Sequence, residues 1–294
     1  KLEEVISAAL ADGNLTEQKR NIIMRRAEKE GEDVEEVMMV VESRLFSQTK
    51  VQPKQPAPKS EAVKETAADG DFVETVNGVS FKMIKVEGGK FTMFSKSQDA
   101  NIPAKPREVI LDDYYICETV VTQELWKAVM GCNFPLLSFV GNKLPVNNIT
   151  WDESYQFINK LNAFTNKNYH LPSESQWEYA AIGGEKSHGF KHAGSDNIKE
   201  VGWTNTNEMK PVAQLMPNEL GLYDMSGNCY EFCEDNMIAE PILSGTKNPI
   251  IRTSLRDFRI IRSTPFDSPV LSIGDRWWCP FDLRREGFSF RIAL

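Results

Sequence analysis

Five cysteines are the first residues in this sequence equipped for chemistry: Cys117, Cys132, Cys229, Cys233 and Cys279. Thiolates act as nucleophiles, redox partners and soft-metal ligands, and zinc or dithiol sites normally carry them in CxxC pairs. No such pair is present here. Cys229 and Cys233 lie four apart, a spacing open to a metal or redox pair. No second Cys/His pair stands near them, so buried free thiols behaving as small hydrophobes are the favoured reading. The odd count points to a reduced compartment, the cytoplasm first. A start at Lys1 and not at Met points to trimming and leaves the compartment open. Histidine chemistry is equally sparse. Of His170, His188 and His192, the last two sit four apart in the Gly-containing loop SHGFKH without a third ligand, and both are read as loop residues.

Hard oxygen donors gather in YDMSGNCYEF, where Asp224, Asn228 and Glu231 flank a glycine. Two carboxylates together with backbone carbonyls suit calcium. The same residues equally suit a turn in which Asp224 and Asn228 bond the backbone. Near the start of the chain, Asp12, Asn14 and Thr16 have the spacing of the first ligands of an EF-hand loop. Position twelve of that loop is Ile23 where a bidentate Glu is needed, so a capped interhelical turn is preferred.

The elements that would position these groups fall into three stretches. Residues 1–46 have helical periodicity. Leu2, Val5, Ile6, Ala9 and Leu10 mark a first helix and Asp12-Gly13-Asn14 break it; Thr16 can cap a second carrying Ile22, Ile23 and Ala27, which Gly31 ends, and Asp33 a third with Val37, Val40, Val41 and Leu45. This small helical module suggests docking to another protein. Residues 47–71 are rich in Pro, Lys, Glu and Ala and nearly empty of large apolar groups, so they cannot bury enough surface to offset ordering entropy and read as a flexible linker. Residues 72–294 change character, with frequent aromatics and short apolar runs between turn clusters.

Within that third stretch, residues 79–86 alternate like a half-buried strand, and Gly88-Gly89 would turn it into a hairpin with residues 90–93. Residues 121–130 and 152–164 carry helical spacing, with Thr122 and either Thr150 or Asp152 as caps. Ser173-Glu174-Ser175-Gln176 resembles a capping box opening a third helix. Trp151, Trp177, Tyr179 and Tyr223 can knit irregular loops together, each burying its ring while its polar tip finds a partner.

Six ordered blocks carry a family resemblance: FKMIKVEGGKFTM (81–93), YYICETVVTQELWKAVMG (114–131), LPVNNITWDESYQFINKLN (144–162), YHLPSESQWEYAAIGG (169–184), PNELGLYDMSGNCYEFCED (217–235) and the closing GFSFRIAL. In order and spacing they resemble the formylglycine-generating-enzyme, or sulfatase-modifying-factor, branch of the C-type lectin fold. That resemblance implies an α+β domain, loop-rich, with small antiparallel sheets and a few helices. It also implies a structural calcium site with Asp224 and Glu231 as side-chain ligands and the carbonyls of Gly227 and Cys229 completing it.

The enzymes' copper chemistry does not carry over. Their two cysteines follow an Arg-Gly-Gly-Ser-Trp-like segment, whereas this chain reads Arg262-Ser263-Thr264-Pro265-Phe266-Asp267-Ser268 and places Ser268 and Ile273 at the approximate cysteine positions. A hydroxyl and an alkyl group cannot ligate Cu(I) as thiolates do. An iron site of the sulfoxide-synthase kind needs more histidines than are present. Neither copper nor iron is expected, and no catalytic residue is assigned; a formylglycine-generating or nonheme-iron oxidoreductase with an altered site is the alternative.

The segment 263–285 departs furthest from the family pattern. Phe266, Asp267, Ser268, Val270, Leu271, Ile273, Asp275, Trp277, Trp278, Phe281 and Arg284 are read there as ligand-binding residues, because grouped aromatics beside arginines (Arg276, Arg284, Arg285) are what recognition hot spots use. This placement resembles the variable proteins of diversity-generating retroelements, which concentrate variation just before a fixed closing strand and have bacterial or phage settings. A non-catalytic binder of a protein ligand is therefore expected. A formal net charge of −8 argues against nucleic acid, whose affinity rests on Lys and Arg neutralising phosphates. A hydrophobic content of 41% supplies a core, and no run of about 18 apolar residues would span a membrane.

Overall fold

The computed structural model describes residues 70–94, 96–97, 106–131, 139–237, 244–252, 258–269 and 272–294, together with 17–31 and positions 2, 5–7, 37 and 41. The chain divides into two compact units, Lys1–Thr66 and Ala67–Leu294. In the first, helix α1 spans Glu17–Glu30 and stops at Gly31 in the left-handed conformation, φ +75°. Ile6, Ile23 and Val41 are buried together, with Leu2, Val5, Met24 and Val37 packed around them. Ile22, read with Ile23 and Ala27 among the apolar residues of this helix, is exposed, because successive helical positions point in different directions. The expected turn at 12–14, the cap at Thr16, the helix start at Asp33 and the linker up to residue 69 lie outside the described residues.

The second unit is a mixed α+β domain of three small sheets and short helices. Strands β1 (Phe72–Val76) and β2 (Val79–Val86) form a hairpin, and β2 also pairs antiparallel with β6 (Tyr114–Cys117). The hairpin turn is Asn77-Gly78, both at positive φ (+49° and +82°), as the mirror-image turn of a tight hairpin requires. Strand β3 (Lys90–Met93) does not return onto β2. It pairs antiparallel with β5 (Arg107–Ile110), which runs parallel to β8 (Thr246–Lys247). The Gly88-Gly89 pair is there for close packing and not for a hairpin: a Cβ on Gly88 would lie 2.3 Å from the Leu111 carbonyl oxygen, and one on Gly89 2.0 Å from the Glu185 carboxylate. Strand β4 is Lys96–Ser97.

Three helices begin where their caps dictate. Helix α2 (Gln123–Met130) is capped by Thr122, whose hydroxyl accepts from Leu125 N. Helices α3 (Trp151–Thr165) and α4 (Glu174–Ala181) open with full capping boxes, Thr150 with Glu153 and Ser173 with Gln176. A short helix α5 (Ile198–Val201) follows. The largest sheet has the order β11-β7-β9-β10-β4, built from β7 (Tyr230–Asn236), β9 (Phe258–Ser263), β10 (Asp275–Pro280) and β11 (Phe288–Phe290). Its centre, β7-β9-β10, is antiparallel, and its outer pairs β11-β7 and β10-β4 are parallel. The chain end closes the domain: Leu294 and Tyr115 exchange backbone hydrogen bonds at 2.9 Å.

Two large apolar clusters fill most of the described unit, and a third, smaller one gathers Val120, Met209, Cys229 and Phe266. Of the large ones, the first gathers Trp126, Phe157, Leu161, Phe232 and Phe290 beneath helices α2 and α3, and the second gathers Val86, Met93, Val109, Trp177 and Ile260 around helix α4. Strand periodicity sends Trp277 to the first cluster and Trp278 to the second. No described helix is long and apolar enough to cross a membrane.

Candidate functional site

A buried ionic frame holds the segment before the closing strand. Arg262 at the end of β9 is fully buried; its Nη1 donates to Glu174 Oε1 at 3.0 Å, and its Nη2 to Glu178 Oε2 at 2.8 Å and to the Ile273 carbonyl at 2.7 Å. Arg276 Nε shares Glu174 Oε1 at 2.8 Å. Asp235 lies directly behind: its carboxylate accepts from Glu174 N and Ile251 N, each at 2.8 Å. Burial, reinforced by the neighbouring Glu174 carboxylate, pushes the Asp235 carboxyl up to about 7. Buried charges are tolerated only when paired and hydrogen-bonded, and here each guanidinium meets carboxylates contributed by helix α4. Nothing local marks these arginines as internal, because the partners of Arg262 lie 88 and 84 residues away.

Over this frame the residues expected to bind ligand separate into two groups. Phe266 is 5% exposed and packs with Val120, Met209 and Cys229, its ring edge-on to Phe139 at 5.4 Å. Ile273 is 7% exposed, and its carbonyl serves Arg262. Asp275, also buried, accepts from Ser272 N at 2.7 Å and so shapes a turn. These three are corrections to the surface reading: each is tied into the core or the backbone. Arg276 belongs with them.

Trp277, Trp278 and Phe281 are half-buried, each packed against a core cluster. Arg284 is fixed by the Asn148 carbonyl and Glu153 Oε1, both at 2.6 Å. Asp267 is exposed and Ser268 half-exposed, their side chains hydrogen-bonded at 3.1 Å. Val270 and Leu271 lie outside the described residues.

The exposed group is held on a fixed backbone. Phe266 N donates to the Asn228 carbonyl at 3.0 Å, Thr206 N to the Phe266 carbonyl at 2.8 Å, and Thr204 Oγ1 to the Ser268 carbonyl at 2.7 Å. A second turn, 281–286, brings exposed Leu283 and Arg285. Arg285 and Asp267 act with opposite sign on the hydroxyl of Tyr230, which brings the two turns into one neighbourhood. The Tyr230 ring lies 6.1 Å from Trp277 and 5.7 Å from Phe288. Tyr230 was missed from sequence, although its two-residue spacing from Phe232 on β7 was a usable sign that both face one cluster.

The donor set implied for calcium does not fit the ion. Glu231 is fully buried, and its carboxylate accepts from Arg291 Nε at 2.8 Å, from Arg291 Nη2 at 2.9 Å and from Trp177 Nε1 at 2.7 Å. Both oxygens of that carboxylate are already engaged by the guanidinium. The Gly227 carbonyl accepts from Cys229 N at 2.8 Å and from Ser263 Oγ at 3.3 Å. Asp224 Oδ2 accepts from Ala213 N at 2.9 Å, and Asn228 bonds Lys210 N and its carbonyl, each at 3.0 Å. Asp224 and Asn228 thus bond the backbone as the turn reading expected, while the Glu231 ion pair with Arg291 was in neither reading. Among the described residues no group of three His, Cys, Asp or Glu is placed to hold a metal.

The described thiols are chemically quiet. Cys117, Cys229, Cys233 and Cys279 are all buried and free. Burial pushes Cys117 up to about 11 and Cys279 to about 12, and raises Cys229 and Cys233 well above the ordinary thiol value. A thiol held protonated at neutral pH is a poor nucleophile and a poor metal ligand.

Comparison with known proteins agrees with this architecture. The chaperone protein LppX of Paenibacillus barcinonensis is 34% identical, the match covering 53% of this chain and 71% of that protein. The formylglycine-generating enzyme of Thermomonospora curvata is 25% identical over 54% of this chain, which spans half (50%) of that enzyme's length. Among solved structures, Treponema denticola variable protein 1 superposes with a TM-score of 0.65 and 26% identity, covering 76% of this chain and 98% of its own. The fold is thus the C-type lectin-like α+β fold expected from the six blocks. Residues 72–262 match the family described as the sulfatase-modifying factor enzyme 1-like domain, and the chain belongs to that family.

Proposed function

We propose that this chain is a non-catalytic binding protein that presents the loops of residues 263–285 to a protein ligand, in the manner of a diversity-generating retroelement variable protein. The observation that carries the reading is the division just described. Arg262, Phe266, Ile273 and Arg276 lock the segment to the interior, while Asp267, Leu283 and Arg285 project from turns on that lock. Loops that vary on a rigid frame alter recognition without unfolding the domain. The likeness to Treponema denticola variable protein 1 supports this reading, and so do the protonated thiols. The helices of the first unit would serve as a docking element.

Site-specific photo-crosslinking tests the proposal. A benzophenone side chain at position 267 or 285 should capture one defined partner protein from the host, a benzophenone at Lys160 on helix α3 should not, and Asp267→Ala with Arg285→Ala should abolish capture at an unchanged melting temperature. Equal capture from all three positions would defeat it.

The alternative is an oxidoreductase with an altered site, favoured by the likeness to the formylglycine-generating enzyme. Stoichiometric copper or iron on the protein purified from its host would establish that alternative and defeat the binding-only reading.

A further inference from the structure

A cleft of about 530 Å³ is lined by residues of the 80–81, 117–125 and 211–214 segments together with Lys143, none of them from the 263–285 loops. We propose that it is a second ligand site, one that takes a small primary amine carried on an apolar body. Its volume falls within the range of pockets that enclose small organic ligands. Its lining combines the apolar side chains of Phe81, Cys117, Val120, Leu125 and Val212 with the charged residues Glu118, Glu124 and Lys143 and a few neutral polar ones.

Charge decides the class of ligand. Glu124 is paired with Lys143, so these two cancel. Glu118 is different. Its ion pair to Lys82 is long, 3.9 Å, because Lys82 is drawn to Asp71 at 2.9 Å, and its side chain keeps 32% of its exposure. The cleft therefore offers one loosely held carboxylate beside apolar side chains, the complement of an ammonium on a hydrocarbon or aromatic body. An ammonium docking there would gain a charge-assisted hydrogen bond that Lys82 does not supply.

The walls are already in place. Val212 N donates to the Lys143 carbonyl at 2.9 Å and Val146 N to the Val121 carbonyl at 2.8 Å, tying the 141–146 and 211–214 segments to each other and to the start of helix α2. Ala213 is held at φ +58°, a left-handed conformation unfavourable for alanine, by donation from its N–H to the buried Asp224 carboxylate. A ligand entering such a cleft need order little of the protein, which favours affinity.

The test is calorimetric titration of the full chain with benzylamine, benzyl alcohol and benzoate, three probes of one shape and different charge. Benzylamine should bind saturably with one site, at least tenfold more tightly than benzyl alcohol, and benzoate should not bind. Glu118→Gln should remove the preference for the amine, whereas Glu87→Gln, exposed just after β2 and outside the cleft, should leave it intact; both variants should melt with the parent. Absence of saturable binding, indifference to probe charge, or an amine preference that survives Glu118→Gln would each overturn the proposal.

Discussion

Arg291, just after β11, and Glu231 on the neighbouring strand β7 meet with both side chains fully excluded from solvent, Nε to Oε2 at 2.8 Å. The same guanidinium donates to the carbonyls of Cys117 and Tyr223, each at 2.9 Å, so one cation stitches together β6, the 223 turn and β7. Glu231→Gln would leave that cation buried without its counter-charge. Breaking a buried pair in this way typically costs about 3–5 kcal/mol. A large fall in melting temperature is expected for Glu231→Gln. Because Arg291 engages both oxygens of the Glu231 carboxylate, neither added calcium nor a chelator should move the melting temperature of the parent; a calcium-dependent rise would show that the carboxylate serves the ion instead.

Asp235 predicts a pH dependence. Its folded value of about 7 lies above the ordinary 3.8, so between those limits the folded state retains a proton that the unfolded chain has released. The stability linked to that proton is complete below about pH 4 and is lost as the pH rises through 7. Asp235→Asn cannot lose it. The variant forfeits part of the bonding to Glu174 N and Ile251 N at every pH, roughly 1 kcal/mol. Relative to the parent it should gain on the order of 2–4 kcal/mol between pH 4 and 8. Asp224, raised to about 6 by burial, acts with the same sign in both proteins and cancels in the comparison. Parallel stability curves for parent and variant would contradict the assignment.

Thiol reactivity gives a third measurement. With burial pushing Cys117 to about 11 and Cys279 to about 12, and raising the other two described thiols well above the ordinary thiol value, a colorimetric disulfide reagent at pH 8 should find these four unreactive in the folded protein. All five cysteines of the sequence should react at once in denaturant. Rapid native reaction of two or more thiols would mean that a low-pKa cysteine exists, and would revive the enzyme reading.

What could be read from sequence follows the range of the interaction. The capping box at Ser173/Gln176 was legible because it closes within four residues, whereas for the helix before it the sequence left Thr150 and Asp152 both open as caps and the structure selects Thr150 with Glu153. The strand over residues 79–86 was legible as well, but its partner was not. Gly88-Gly89 looked like a hairpin turn, whereas the real hairpin lay at Asn77-Gly78, a stronger turn signal that was passed over. Family order gave the fold. The site was legible only in outline, because hydrophobicity and charge do not report long-range pairing: Phe266 looked like a surface aromatic and is core, and Arg276 looked like a hot-spot cation and is buried against Glu174.

The division within residues 263–285 yields the most direct prediction about the proposed recognition face. Phe266 fills a pocket between Val120, Met209 and Cys229, and truncating a buried phenylalanine to alanine generally costs about 3–5 kcal/mol through lost burial and the cavity left behind. Phe266→Ala should therefore destabilise the domain strongly. Any loss of binding it causes would reflect unfolding, so that variant cannot report on a paratope. Asp267→Ala and Arg285→Ala remove exposed side chains and should change stability by less than about 0.5 kcal/mol. Trp277→Ala should fall between these limits, since its ring is half-buried against the core beside Tyr230. Denaturant unfolding of the four variants should rank them in that order. A strongly destabilised Asp267→Ala would show that the 264–269 turn depends on the side chains it displays; such a turn could not vary freely, and the binding proposal would lose its rigid frame.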